Sequence, residues 1–216
     1  MKPRDALFGT LAAVIAVPSL AQSKPVEPPG GKYAKDAEQV FRSSFRVDNP
    51  KYWMSRLDQD ETMRLCGQYR DNPPRKIGAQ LEKANQATIR YPVEGKLIGD
   101  WKEGEKLAAV GTGGHIGFIQ PDPPGRLRGG NCYACHQLAQ KEVAYGTIGP
   151  SLQHYGKTRG NSEEIVKYTY DKIYNSNAFT ACTNMPRFGL HSWLTPEQIT
   201  HIVAFLLDPE SPVNKD

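Results

Sequence analysis

Residues 129–138 read GGNCYACHQL, and Cys132, Cys135 and His136 in that run are the side chains best placed to do chemistry. Two thiols two residues apart, with a histidine directly behind them, can hold zinc, cycle between dithiol and disulfide, or carry a haem. A zinc site asks for a second pair of ligands at matching spacing, and the other two cysteines, Cys66 and Cys182, stand alone. A thioredoxin-like redox pair sits beside a βαβ pattern, and no alternating strand pattern stands out here. C-x-x-C-H is the attachment spacing of haem c. Each thiol adds across one vinyl group at the porphyrin edge, and the adjacent histidine turns under the ring to bind iron. Cys132 and Cys135 are therefore assigned to the thioethers and His136 to the fifth iron ligand. The motif occurs once, so one covalent haem c is expected.

The sixth ligand has to come from downstream, where TNMPRFG holds Met185, the one methionine after the motif. A thioether is a soft donor that raises the reduction potential, and Pro186 stiffens the chain beside it. His154, His191 and His201 are the rivals, with His201 set among packing residues. Between the two ligands lies GTIGPSL. Pro150 has no N–H, and its carbonyl is free to accept the Nδ1 proton of His136, a bond that fixes the ring and its basicity. Leu152 is expected to pack on the haem face. The alternative for this stretch is a plain Gly-Pro turn.

The remaining sequence has to deliver and position these groups. Lys2 and Arg4 precede an apolar run from Ala6 to Val17, and Ser19-Leu20-Ala21 offers a small-x-small cleavage site. Residues 1–21 thus read as a secretory signal peptide, and no second run of membrane-spanning length follows. A formal charge of +4 is too weak a bias to argue for nucleic acid. Export puts Cys66 and Cys182 in an oxidising compartment, where leftover cysteines pair; two buried free thiols are the alternative.

Residues 22–98 form an extension. Its first part, to about residue 32, is a Pro/Gly-rich leader, and the rest is helical, with stripes at Met63, Cys66 and Tyr69 and at Ile77, Leu81, Ala84 and Thr88. Asp100 and Glu103 then suggest a capping box on a helix carrying Trp101, Leu107, Ala108 and Val110. Residues 111–129 hold six glycines and three prolines and make a long loop containing His115. Thr195, Pro196 and Gln198 open a last helix with a core stripe at Ile199, Ile202, Val203 and Leu206. The fold class is all-α.

In this order, a short helix, CYACH, GTIGPSL, NMPRFG and a capped C-terminal helix, the chain resembles a class I cytochrome c over about residues 99–210. That makes 99–216 a cytochrome c-like haem domain, following the signal peptide (1–21) and the mostly helical extension (22–98). The 111–129 loop is longer than a minimal cytochrome c allows. The extension, YGKTRG (155–160) and LTPEQITHIVAFLLDPESPVNK more narrowly resemble SoxX, the monohaem subunit of the SoxXA complex (L-cysteine S-thiosulfotransferase) of sulfur oxidation. The resemblance implies a periplasmic heterodimer with a larger haem-bearing SoxA-like subunit, which houses the reacting site. It further implies a sulfur-carrier protein of SoxYZ type and a downstream electron-acceptor cytochrome. No catalytic residue is expected in this chain. A free-standing periplasmic electron carrier is the alternative, and an occupied sixth position argues against a gas-binding haem sensor.

Overall fold

A computed structural model describes residues 33–44, 54, 58–112, 123 and 125–216. The signal peptide, the leader, His115 and most of the 111–129 loop lie outside the described residues. Among those described there are helices and turns and no strands. The helices are α1 (Ala34–Ser43), α2 (Glu61–Gln68), α3 (Arg75–Gln86), α4 (Trp101–Ala109), α5 (Tyr155–Arg159), α6 (Glu163–Tyr174) and α7 (Pro196–Leu207). None is long and apolar enough to cross a membrane.

The core forms where α4 and α7 cross. Gly104 makes the crossing possible: a β-carbon there would fall 2.0 Å from the His201 carbonyl oxygen. The helices are also tied at one end, where the His201 Nδ1 accepts the Asp100 N–H at 2.8 Å and the Thr200 carbonyl accepts that of Gly99 at 3.0 Å. Leu107 and Ala108 from α4, Tyr170, Ile173 and Tyr174 from α6, and Ile199, Ile202, Val203 and Phe205 from α7 are all buried in this one cluster. Each leucine, isoleucine, valine or phenylalanine among them contributes about 1.5–3 kcal/mol for leaving water.

Helix α7 starts with the complete Thr195–Gln198 capping box and Pro196 in its first turn. Beyond the expected stripe, Ala204, Phe205 and Leu207 are buried too: Phe205 lies against Gly104 of α4, and the C-terminal tail folds back on the end of the helix. Asn214 clasps that tail. Its Oδ1 accepts the N–H groups of Gly156 (2.8 Å) and Lys157 (3.2 Å), while its Nδ2 donates to the carbonyls of Leu206 (3.0 Å) and Asp208 (2.8 Å). YGKTRG and the C-terminal segment thus form one interlocked unit. At α4 the capping box does not form: Asp100 caps the Lys102 N–H, and Glu103 turns to Lys106 at 2.6 Å instead.

In the extension the stripes shift in detail. Cys66, Tyr69 and Leu81 are buried, but Met63 and Ala84 are exposed, and Asn85 occupies the buried position on α3. A second small core joins Cys66 and Leu81 to Ala181, with Leu65, Ile77 and Cys182 packed around it. This part of the extension therefore packs on the chain's own segment around residue 181. Helix α1 carries Val40 and Phe41 exposed, and its Arg42 pairs with Asp58 at 2.8 Å.

Candidate functional site

The motif CYACH begins with Asn131 in the left-handed region (φ 44°), followed by a single 3₁₀ turn over Cys132–Ala134. The Cys132 carbonyl accepts from the N–H groups of both Cys135 and His136. This tight turn keeps the two sulfurs and the imidazole on one short stretch. Cys132 and Cys135 are both free thiols, and burial pushes that of Cys132 up to about 12.

GTIGPSL runs alongside the motif, held at every third residue. Gly146 donates to the Tyr133 carbonyl (2.8 Å), Gly149 to that of Cys135 (2.9 Å) and Leu152 to that of Gln137 (2.8 Å). The register brings the Pro150 carbonyl oxygen to 2.7 Å from the His136 Nδ1. A carbonyl can only accept, so Nδ1 carries the proton and Nε2 presents its lone pair. Gly149 lies flat against the ring: a β-carbon there would fall 2.2 Å from the imidazole Cε1. Leu152 packs at the border of the main core.

Met185 belongs to a loop closed on itself. The Tyr174 carbonyl, at the end of α6, accepts from Gly189 (3.0 Å) and Leu190 (3.2 Å), so residues 175–189 leave and return at one point. Inside it the Ser176 hydroxyl donates to the Met185 carbonyl at 2.5 Å. Met185 and Phe188 border the same core as Cys132, Tyr133 and Leu152. Phe188 also approaches the motif, since a β-carbon on Gly130 would meet the Cys132 sulfur at 3.1 Å and the Phe188 ring at 3.7 Å. Trp193 reinforces the seam, its indole N–H donating to the Gly129 carbonyl at 2.7 Å.

Two of the rival histidines are engaged elsewhere. His201 accepts from Asp100, and His154 Nε2 lies 3.7 Å from Asp216. Burial and then the Arg187 charge hold His191 below its ordinary value, with Asp60 opposing them. Among nearby cations, Arg187 is 8% exposed and bonded to Asp60 at 2.6 Å, Lys157 reaches Asp216 at 2.9 Å, and Arg159 stacks over Tyr155 and Tyr168.

Two free thiols, a proton-fixed imidazole and a bordering apolar wall fit a covalently held haem. The cytochrome c family profile matches residues 126–208. A protein of Aquifex aeolicus (strain VF5), described as an uncharacterized lipoprotein, is 36% identical over 211 residues, covering 97% of each chain. Residues 126–208 thus form a cytochrome c family domain. That domain makes the chain a haem electron-transfer protein, and it implies covalently bound haem c.

Sequence reading passed over Gly149, Phe188 and the Asp60–Arg187 pair. Gly149 was detectable as the residue before Pro150. The other contacts join distant positions, and a single sequence carries no sign of them. Cys66 and Cys182, 116 positions apart, are joined by a disulfide.

Proposed function

We propose that this cytochrome is the monohaem electron-transfer subunit of a periplasmic thiosulfate-oxidising complex of SoxXA type, with His136 and Met185 as the iron ligands. Haem c, when bound, supplies a one-electron couple. His136, its ring fixed by Pro150, and the Met185 sulfur would be the residues that hold the iron. The His136 ring, fixed by Pro150 at 2.7 Å inside a cytochrome c domain, carries the reading; with both positions taken by side chains, no substrate or gas would have a place to bind, and electron transfer would be the chemistry that remains.

Joining thiosulfate to a carrier-protein cysteine forms one S–S bond and releases two electrons and the thiol proton. In this proposal the bond is made in a larger SoxA-like haem subunit on a SoxYZ-type carrier. This chain passes the electrons singly to an acceptor cytochrome. Support for the thiosulfate step comes from the resemblance of YGKTRG and the C-terminal segment to SoxX. Support for export comes from the residue 1–21 signal and from the Aquifex relative's description as a lipoprotein.

One observation favours the second reading, a free-standing carrier. Helices α2 and α3 are occupied within the chain, so their presence does not itself call for a partner. Mixing separates the two. The oxidised cytochrome is given thiosulfate, then the reduced carrier and the haem partner separately and together. Reduction that needs both additions, with a one-to-one complex on gel filtration, supports the proposal. Rapid reduction by thiosulfate alone, or a persistent monomer beside the partner, supports the free carrier.

A further inference from the structure

The loop carrying Met185 has little structure of its own. Between its closing bonds at Tyr174 lie one 3₁₀ turn, Ser176–Ala178, a turn from Thr180 to Thr183, and a few side-chain bonds, among them those of Ser176 and Thr183 to the Met185 backbone. Segments with so few internal bonds open locally at small free-energy cost unless something else holds them. Here the holding comes from residues 60–88 of the extension, by five routes. Cys66 is bonded to Cys182. Asp60, which also caps α2 through the Met63 N–H, pairs with Arg187 at 2.6 Å. The Gln86 amide donates to the Ala178 carbonyl at 2.9 Å. Glu82 accepts the Ala181 N–H at 3.2 Å.

The fifth route is a buried polar network. Asn85, 3% exposed, donates from Nδ2 to the Thr62 hydroxyl (2.9 Å) and the Leu81 carbonyl (2.8 Å), and its Oδ1 accepts from the Asn175 Nδ2 at 2.9 Å. The same Asn175 Nδ2 lies 2.9 Å from the Thr88 hydroxyl. Asn175 Oδ1 in turn accepts the Asn177 N–H at 3.2 Å. One amide thereby links α2, α3 and the first residue of the loop, in an interior where a fully satisfied network specifies a single arrangement.

The ties span the loop from Asn175 to Arg187 and flank Met185 on both sides. We propose that the α2–α3 hairpin is a positioning device for the sixth ligand: Asp60, Cys66 and Asn85 keep the 175–189 loop closed so that the Met185 sulfur stays on the iron. The inference rests on the assignment of Met185 as ligand made above. It gives the hairpin a task inside the haem domain, separate from any partner docking.

The test uses purified oxidised holoprotein and two readouts. One is the melting of the far-red sulfur-to-iron charge-transfer band, compared with the melting of helical circular dichroism. The other is the rate at which imidazole enters the iron. In the wild type, band and helix should melt together. In Cys66→Ser/Cys182→Ser the band should vanish well below the helical transition, and imidazole should enter at least about tenfold faster, as a loosened local opening requires. Asp60→Asn, which retains a capping side chain, should show a smaller change of the same kind, and it carries the comparison if the double variant does not accumulate. Arg64→Ala, exposed on α2, should match the wild type. If band and helix move together in the loosened variants and imidazole entry is unchanged, the hairpin is an ordinary staple and the proposal fails. A wild type with no band, or a Met185→Ala that keeps one, overturns the ligand assignment itself.

Discussion

The imidazole of His136 is held between two consecutive residues of another segment: Pro150 accepts its Nδ1 proton at 2.7 Å, and Gly149 lies so close that a β-carbon would sit 2.2 Å from the ring. One residue sets the ring's tautomer, the other its plane. Gly149→Ala should therefore displace His136. We expect a loss of about 1–3 kcal/mol in unfolding free energy, typical of overpacking, and a reduced haem-to-protein ratio in purified material. Denaturant titration and pyridine haemochrome assay check the two parts. Full haem loading with unchanged stability would show that the ring can move aside without consequence.

The Asp60–Arg187 pair predicts an acid-sensitive term in stability. Burial opposes ionisation of Asp60, but the Met63 N–H and the Arg187 guanidinium outweigh it and hold the carboxyl below its ordinary value. The folded pKa thus lies below the unfolded one, about 3.9. The contribution is present in full above that value and is lost as pH falls through the folded pKa. Asp60→Asn should cost about 1–2 kcal/mol at pH 7, discounted because the Asp60 side chain is 40% exposed while Arg187 is buried. The difference between variant and wild type should shrink below about pH 4. Urea midpoints at a series of pH values measure it, and a gap that stays constant down to acid pH would remove the charge pair from the explanation.

Asn214 offers a prediction about the tail. Its side chain satisfies two N–H groups and two carbonyls at once. Asn214→Ala leaves all four without that partner, in a site where Val213 and Asn214 are buried, and should cost about 2–4 kcal/mol. Asn214→Asp keeps the acceptor but turns a buried carboxylate oxygen on the Leu206 and Asp208 carbonyls, and should cost at least as much. A shift in midpoint without a change in the denaturant slope is the expected signature. No shift in either variant would mean that the tail is peripheral to α7.

These residues also show where sequence reading succeeds and where it stops. The α7 cap was legible because Thr195, Pro196 and Gln198 act within one turn and answer to local chemistry alone. At α4 the same reasoning holds for the Asp100 cap and fails for Glu103, which is drawn to Lys106 on the helix surface. On α3 it holds at Ile77 and Leu81 and misses at Ala84, because Asn85 is buried in its place for its hydrogen bonds and an apolar stripe search looks past it. The haem motif reads plainly, since its spacing is the chemistry. What holds the Met185 loop does not, because Asp60 and Arg187 stand 127 positions apart and nothing local marks either one as the other's partner.

The central claim is that iron in this cytochrome is closed by His136 and Met185, which makes it an electron carrier. Carbon monoxide added to the reduced protein at neutral pH tests this most directly, with Met185→Ala alongside. The account predicts that the wild-type visible spectrum stays unchanged while the variant takes up carbon monoxide and shifts its Soret band. Ready binding by the wild type would contradict it and place an open coordination position, and a different function, at this haem.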